Sequence, residues 1–120
     1  MKATPKPGAV RLFAYGTLQQ REVQLATYGR PLNGTPDVLS GYRLEALAIT
    51  DPDVVRLSGK AVHQIARESS DNGDRIPGIV FLITDEELAA TDRYEVVVYG
   101  RVEVTLDSGT RAFVYVGPSL

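Results

Sequence analysis

The chain has 120 residues, a formal net charge of −2 and no cysteine. Its length predicts one domain that can bury a core, and its 43% apolar and 23% charged residues are typical of soluble globular proteins. These values exclude disulfides, thiolate metal sites and a cysteine nucleophile, and they argue against nucleic acid or a membrane as partner. We therefore expect a cytoplasmic protein, as monomer or homodimer.

The first half of the chain predicts a flexible arm followed by a strand, a helix and a long strand. Residues 1–10 are polar and rich in proline, so we expect one domain over 11–120 after this arm. Arg11–Tyr15 is typical of a strand. A helix is predicted from Gln19 to Tyr28 and ends at Gly29. Val38–Ile49 predicts a second strand, in which Gly41 marks a bulge.

The middle of the chain predicts a turn at Asp51–Asp53, a weakly alternating strand at Lys60–Arg67 and a loop at Ser69–Asp74. Ile79–Ile83 is a continuous β-prone run, which predicts a strand buried on both faces.

The last third predicts a helix and a hairpin. Thr84 and Glu87 have the spacing of a capping box, which predicts a helix to about Asp92. Tyr99–Leu106 and Arg111–Val116 flank a turn-forming sequence, which predicts a hairpin. The elements together predict an α+β domain with an antiparallel or mixed, barrel-like sheet.

Two separate segments carry residues suited to chemistry. Tyr15-Gly16-Thr17-Leu18 ends the first strand in a glycine turn, where backbone N–H groups can face an anion. Asp92-Arg93-Tyr94-Glu95 places a carboxylate, Glu95, at the start of an apolar stretch, where burial can raise its pKa for proton transfer. The first segment alone also fits a strand end, a turn and a helix start, and Glu95 alone also fits a solvated residue entering a strand. The only histidine, His63, fits a polar strand residue better than a catalyst.

These two segments, together with Gly78–Phe81 and Ala112–Val116, resemble the γ-glutamylcyclotransferase-like family, and in particular its compact AIG2-like members. The resemblance covers Arg11 to Val116. It implies a small closed β-barrel, mixed or antiparallel, with a few short flanking helices and a cavity between them. The segment between Ala48 and Arg75 departs most from the family pattern.

The resemblance also implies an activity and a set of site residues. Characterised members release 5-oxoproline from γ-glutamyl compounds without a cofactor or metal. By resemblance, Glu95 is the catalytic acid/base, and Tyr15, Gly16, Thr17 and Leu18 form the substrate-binding loop. Tyr99 and Tyr115 resemble aromatic residues that line the cavity.

The substrate and the activity itself stay open at this point. The leaving group could be an amino acid, an amine, the ε-amine of a crosslinked lysine or an antibiotic precursor. The alternative to an enzyme is a non-catalytic binding module for a small carboxylate or γ-glutamyl ligand. A third reading is an interaction domain whose cavity has lost its role. A catalytic glutamate favours the enzyme, because a binder of acidic ligands gains nothing from a carboxylate beside them.

Overall fold

The computed structural model describes residues 10–48, 52, 56, 62–71, 73–94 and 100–117. The strands with describable bounds are β1 Val10–Ala14, β2 Gly34–Ser40, β3 Tyr42–Ala48, β4 Val62–Glu68, β5 Arg75–Ile83, β6 Gly100–Thr105 and β7 Arg111–Val116. A 3₁₀ turn covers Thr17–Gln19, and the helices are α1 Arg21–Tyr28 and α2 Asp85–Tyr94. The mixture of helix and strand confirms the predicted α+β class.

Five strands form one sheet in the order β2-β5-β1-β7-β6, and β3 pairs with β4 in a separate antiparallel ladder. All pairs in the larger sheet are antiparallel except β1 and β7, which run parallel with Leu12 opposite Phe113. The N-terminal strand therefore lies in the centre of the sheet, between two strands from the second half of the chain.

The central strand β1 divides the interior into two cores, because alternate side chains of a strand point to opposite faces. Leu12 and Ala14 lie in a core that includes side chains from α1 and the loop before it, with Leu88 of α2 packed against it. Phe13 lies in the other core, with residues of β2, β5 and β7 and with Ala66 of β4. The larger sheet is therefore covered on both faces.

Gly78 of β5 allows this packing around Phe13. A Cβ atom at this position would lie 2.5 Å from the carbonyl oxygen of Ala14 and 2.6 Å from Cζ of Phe13. Such contacts are too close for any side chain, so the pairing of β1 with β5 requires glycine here.

The expected closed barrel is not formed, because the sheets are open and β3–β4 stands apart from the larger sheet. The two edges of that sheet are joined at one corner of the described structure, where the amide of Asp107, just after β6, donates to the carbonyl of Val38 on β2. Beside it, the Ser108 hydroxyl donates to Asp37, and that of Ser40 donates to Asp107. These contacts join a turn to strand β2 but do not extend into a ladder, which leaves β6 as an edge.

The prediction of one continuous strand over Val38–Ile49 is wrong, because the chain forms two strands there, separated at Gly41. This glycine has φ 87°, in the left-handed region, so the chain turns there instead of forming a bulge. Its amide donates to the carbonyl of Asp74, and its carbonyl accepts from the amide of Ser69. The chain therefore leaves the larger sheet at Ser40 and starts the second sheet at Tyr42.

Several local predictions are confirmed. Helix α1 ends at Gly29, which has φ 74° and donates its amide to the carbonyl of Leu25. Its predicted first residue, Gln19, instead ends the separate 3₁₀ turn, and Gln20 is the N-cap of α1. The hairpin of β6 and β7 turns at Gly109, with φ 90°. The prediction that β5 is buried on both faces holds for Val80 and Phe81, which lie in opposite cores, but not for Leu82, which is 48% exposed.

Other predictions lie outside the described residues. These are most of the N-terminal arm and residues 51 and 53 of the predicted turn. The residue between them, Pro52, is described and is helical. Among the described residues, none of the helices has the length and apolar character that crossing a membrane requires.

Candidate active site

The candidate site starts at the loop that leaves β1. After Ala14 the chain passes through Tyr15 and Gly16 into the 3₁₀ turn, whose first residues Thr17 and Leu18 are buried. Because β1 is the central strand, this loop starts at the middle of the sheet rather than at an edge.

The hydroxyl of Tyr15, the residue that follows β1, contacts strands β7 and β4. It donates a hydrogen bond to the carbonyl oxygen of Tyr115 on β7, at 2.6 Å, and accepts one from the amide of Ala66 on β4, at 2.9 Å. The neighbouring amide of Gly117 also donates to the carbonyl of Ala66. Tyr15 thus ties the smaller sheet to the larger one at the point where the loop begins.

The far end of the loop is held by a buried amide side chain. Gln24 of α1 is 3% exposed, and its Nε2 donates to the carbonyl of Leu18 at 2.9 Å. Its Oε1 accepts from the amide of Leu32 at 2.8 Å. A buried amide with both ends hydrogen-bonded is a rigid connection, so the loop is fixed at both ends.

Between these two ends, Gly16 faces open space. A Cβ atom built there would have no heavy atom within 4 Å, apart from the adjoining residues of the chain. The 3₁₀ geometry also leaves the amide of Leu18 without an acceptor inside the helix. The loop can therefore admit a small group close to its backbone, which is the property required for holding a carboxylate or an oxyanion.

The second part of the site is the C-terminal end of α2. The Tyr115 hydroxyl donates to Oδ1 of Asp92 at 2.5 Å, and Nη1 of Arg101 lies 3.3 Å from Oδ2 of the same carboxylate. Tyr115 and Arg101 are directly opposite each other on β7 and β6. The guanidinium of Arg101 also lies over the ring of Phe113, 5.1 Å from its centroid.

Tyr115 connects the two parts. Its carbonyl accepts from Tyr15, at the start of the loop, while its hydroxyl donates to Asp92, in the last turn of α2. The loop after β1 and the end of α2 are therefore linked through one residue of β7.

The sequence matches the family model described as gamma-glutamyl cyclotransferase, AIG2-like, over residues 12–119. The chain belongs to this family. A search of the curated proteins finds no match.

Solved structures of other proteins share the fold of this family member. A protein from Arabidopsis thaliana, solved in solution, is 24% identical with a TM-score of 0.69, and the match covers 97% of this chain and 66% of that one. A structure named gamma-glutamyl cyclotransferase is 17% identical with a TM-score of 0.70, covering 92% and 67%. An uncharacterized protein from Homo sapiens is 19% identical with a TM-score of 0.69, covering 91% and 66%. The chain thus spans about two thirds of the length of these proteins.

The described residues include the predicted loop and one of the two predicted tyrosines that line the cavity. Tyr15 and Tyr115 are brought into contact, and Gly16, Thr17 and Leu18 follow Tyr15 in the loop. The predicted acid/base Glu95 and the predicted lining residue Tyr99 lie outside the described residues. In sequence, Glu95 directly follows Tyr94, the last residue of α2.

Three residues of this region were not predicted to take part. Gln24 gives no local signal, because a glutamine in a helix is ordinary. Its two hydrogen-bond partners, the carbonyl of Leu18 and the amide of Leu32, lie before and after the helix. Asp92 and Arg101 do carry a signal. An aspartate in the last turn of a helix opposes the helix dipole, so its presence there suggests a cationic or hydrogen-bonding partner elsewhere in the fold.

Two cavities lined by described residues lie elsewhere, each of about 490 Å³. One is at the corner where the turn after β6 meets β2, beside Arg11 and Asp37. The other is beside α1, next to Gln19 and Pro31. Neither includes Tyr15 or Tyr115, so volume alone does not identify the site.

Proposed function

We propose that this chain is an enzyme that releases 5-oxoproline from a γ-glutamyl amine or amino acid, with Glu95 as acid and base. The observation that supports the proposal is the link through Tyr115 between the loop after β1 and the last turn of α2. That link joins the residue at the start of the loop to the last turn of the helix that Glu95 follows in sequence. Membership of the family supports the reaction class.

The reaction needs no nucleophile from the protein. The α-amine of the γ-glutamyl group attacks its own γ-carbonyl carbon, a C–N bond closes the five-membered lactam, and the bond to the leaving amine breaks. The α-ammonium loses one proton and the leaving amine gains one. Holding the substrate folded, with amine and carbonyl together, supplies several kcal/mol of the barrier.

In this proposal one carboxylate moves the proton in both directions. Glu95 takes it from the α-ammonium and returns it to the leaving amine. The backbone at Gly16, Thr17 and Leu18 binds the substrate carboxylate or the developing oxyanion. The rings of Tyr99 and Tyr115 line the cavity that holds the glutamyl chain.

The test is 5-oxoproline release from a panel of γ-glutamyl compounds by the wild-type chain and by Glu95→Gln. The panel holds γ-glutamyl amino acids, γ-glutamyl amines, ε-(γ-glutamyl)lysine and glutathione. The glutamine is matched in size but cannot exchange the proton, so we expect kcat to fall by roughly 10²- to 10⁴-fold. Glu86→Gln is the control, since Glu86 is an exposed carboxylate in the first turn of α2.

Full activity of Glu95→Gln on a substrate that the wild type turns over would show that the assignment of the base is wrong. No release from any compound, with both proteins folded by circular dichroism, would count against the enzyme. A thermal shift of the same inactive protein with glutamate or a γ-glutamyl compound would then favour the binding module.

A further inference from the structure

The carboxylate of Asp92 is an unusual feature of α2. The C-terminal end of a helix carries partial negative charge, so an acidic side chain in the last turn is unfavourable unless something else stabilises it. Here the carboxylate oxygens are divided between two partners, with Oδ1 accepting from the Tyr115 hydroxyl and Oδ2 facing Arg101. These partners come from two adjacent strands.

This contact fixes the end of the helix in two directions. Tyr115 is on β7, inside the larger sheet, and its ring is 6% exposed. Arg101 is on the edge strand β6, and the ring of Phe113 supports its guanidinium. The two contacts therefore oppose displacement of the helix end along the sheet and away from it.

The chain leaves α2 after Tyr94, so the residue that follows the fixed turn is Glu95. Consecutive Cα atoms are about 3.8 Å apart, so the position of the helix end limits where the next residue begins. A displacement of about 1 Å of a reacting group can cost on the order of 100-fold in rate.

We propose that Asp92 is a positioning residue, which with Tyr115 and Arg101 holds the last turn of α2, from which the chain continues to Glu95. This inference rests on the proposed function, because it assigns Asp92 and the Tyr115 hydroxyl an effect on catalysis through Glu95. Asp92 itself is assigned no contact with the substrate.

The same helix provides a matched control one residue away. Thr91 accepts a hydrogen bond from the hydroxyl of Tyr28, at 2.6 Å, on the side of α2 that faces α1. Tyr28→Phe and Tyr115→Phe therefore remove the same group, each from a contact with the last part of α2. Of these two contacts, only the one made by Tyr115 links α2 to β7 and to the loop.

The experiment measures kcat and KM for 5-oxoproline release in wild type, Tyr115→Phe, Asp92→Asn and Tyr28→Phe, on a panel compound that the wild type turns over. We expect Tyr115→Phe to lower kcat by roughly 10- to 100-fold, with KM within about twofold. Asp92→Asn keeps an acceptor for Tyr115 but loses the ion pair, so its loss should be smaller. Tyr28→Phe should lower the midpoint of thermal unfolding about as much as Tyr115→Phe and leave kcat unchanged.

Amide hydrogen exchange of the free proteins is the second readout, and it requires no substrate. Faster exchange over residues 92–101 is expected in Tyr115→Phe and Asp92→Asn but not in Tyr28→Phe. Exchange equal to wild type in both variants would overturn the inference, as would an unchanged kcat in Tyr115→Phe. A rise in KM alone would also overturn it, because it would assign the Tyr115 hydroxyl to substrate binding rather than to holding the end of α2.

The two proposals can fail separately. If the wild type releases no 5-oxoproline, the proposed function fails, and the exchange data alone then decide whether Asp92 fixes the helix end. If the wild type is active and Glu95→Gln is not, the proposed function stands, and the kinetics of Tyr115→Phe decide the positioning role.

Discussion

The two ends of α2 are stabilised in different ways. At the N-terminal end, the Thr84 hydroxyl accepts from the amide of Glu87, and the Glu87 carboxylate accepts from the amide of Thr84. Arg30 donates two further hydrogen bonds to the same carboxylate, at 2.7 and 2.8 Å. At the C-terminal end, the Asp92 carboxylate instead contacts Tyr115 and Arg101, two residues of the hairpin that follows the helix.

The contacts at the two ends of α2 are expected to affect different properties, stability at the N-terminal end and the proposed activity at the C-terminal end. The capping box would form in almost any protein with this helix, because it satisfies amides that every helix leaves unpaired. Arg30 adds one tertiary contact to it. The contacts of Asp92 form only when β6 and β7 are in place beside α2. We therefore expect changes at the N-terminal end to lower stability and changes at the C-terminal end to lower kcat.

The largest expected effect on stability is that of Glu87→Ala. The change removes one member of the capping box and the ion pair with Arg30, at a carboxylate that is 14% exposed. Loss of such a cap costs about 1 to 2 kcal/mol and the ion pair adds up to about 1 kcal/mol. We expect the free energy of unfolding in urea to fall by about 1 to 3 kcal/mol while kcat stays near the wild-type value.

Glu87→Gln is the matched variant for this prediction. Its side-chain oxygen can still accept from the Thr84 amide, so it loses the ion pair but keeps the cap. We expect it to lose about 1 kcal/mol or less. If Glu87→Ala lowered kcat as strongly as Tyr115→Phe does, the N-terminal end of α2 would affect activity as well as stability, which would contradict the expected difference between the two ends.

A smaller effect is expected from Thr91→Val, between the two ends. Thr91 is fully buried, and its hydroxyl donates to the carbonyl of Glu87 and accepts from Tyr28. Valine keeps the branched shape and removes both hydrogen bonds, which should cost about 1 to 2 kcal/mol in thermal or urea unfolding. Thr91→Ser retains the hydroxyl, so its hydrogen bonds should survive. A Thr91→Val protein as stable as wild type would contradict the prediction, and any loss in Thr91→Ser measures the missing methyl group.

The sequence predicts the N-terminal end of α2 well and the C-terminal end poorly, for the same physical reason. The capping box and the stop of α1 at Gly29 depend on residues three or four positions apart, so local spacing predicts them. The contact of Tyr15 with Tyr115 spans 100 positions and depends on the parallel pairing of β1 with β7. Nothing in either segment alone specifies that pairing.

Gly41 shows the same limit within the fold. Its position in an apolar, alternating stretch predicts a bulge in one strand, yet it separates two strands that belong to different sheets. The deciding contacts are hydrogen bonds to Asp74 and Ser69, which are about 30 positions away. Local pattern therefore predicts that a strand is interrupted, and only the tertiary structure determines where each half pairs.

The smallest expected effect is a difference in pH dependence that isolates the ion pair at the N-terminal end. Hydrogen bonds from Arg30, aided by the Thr84 amide, lower the pKa of Glu87 despite its partial burial. A carboxyl group whose pKa is lower in the folded state contributes stability above its unfolded pKa and loses it as the pH falls through the folded value. The stability advantage of wild type over Glu87→Gln, about 1 kcal/mol or less, should thus be largest near neutral pH and vanish in acid. Urea unfolding of both proteins from pH 7 to pH 3 measures it, and an advantage that persisted at the acid limit would show that Arg30 contributes through packing rather than charge.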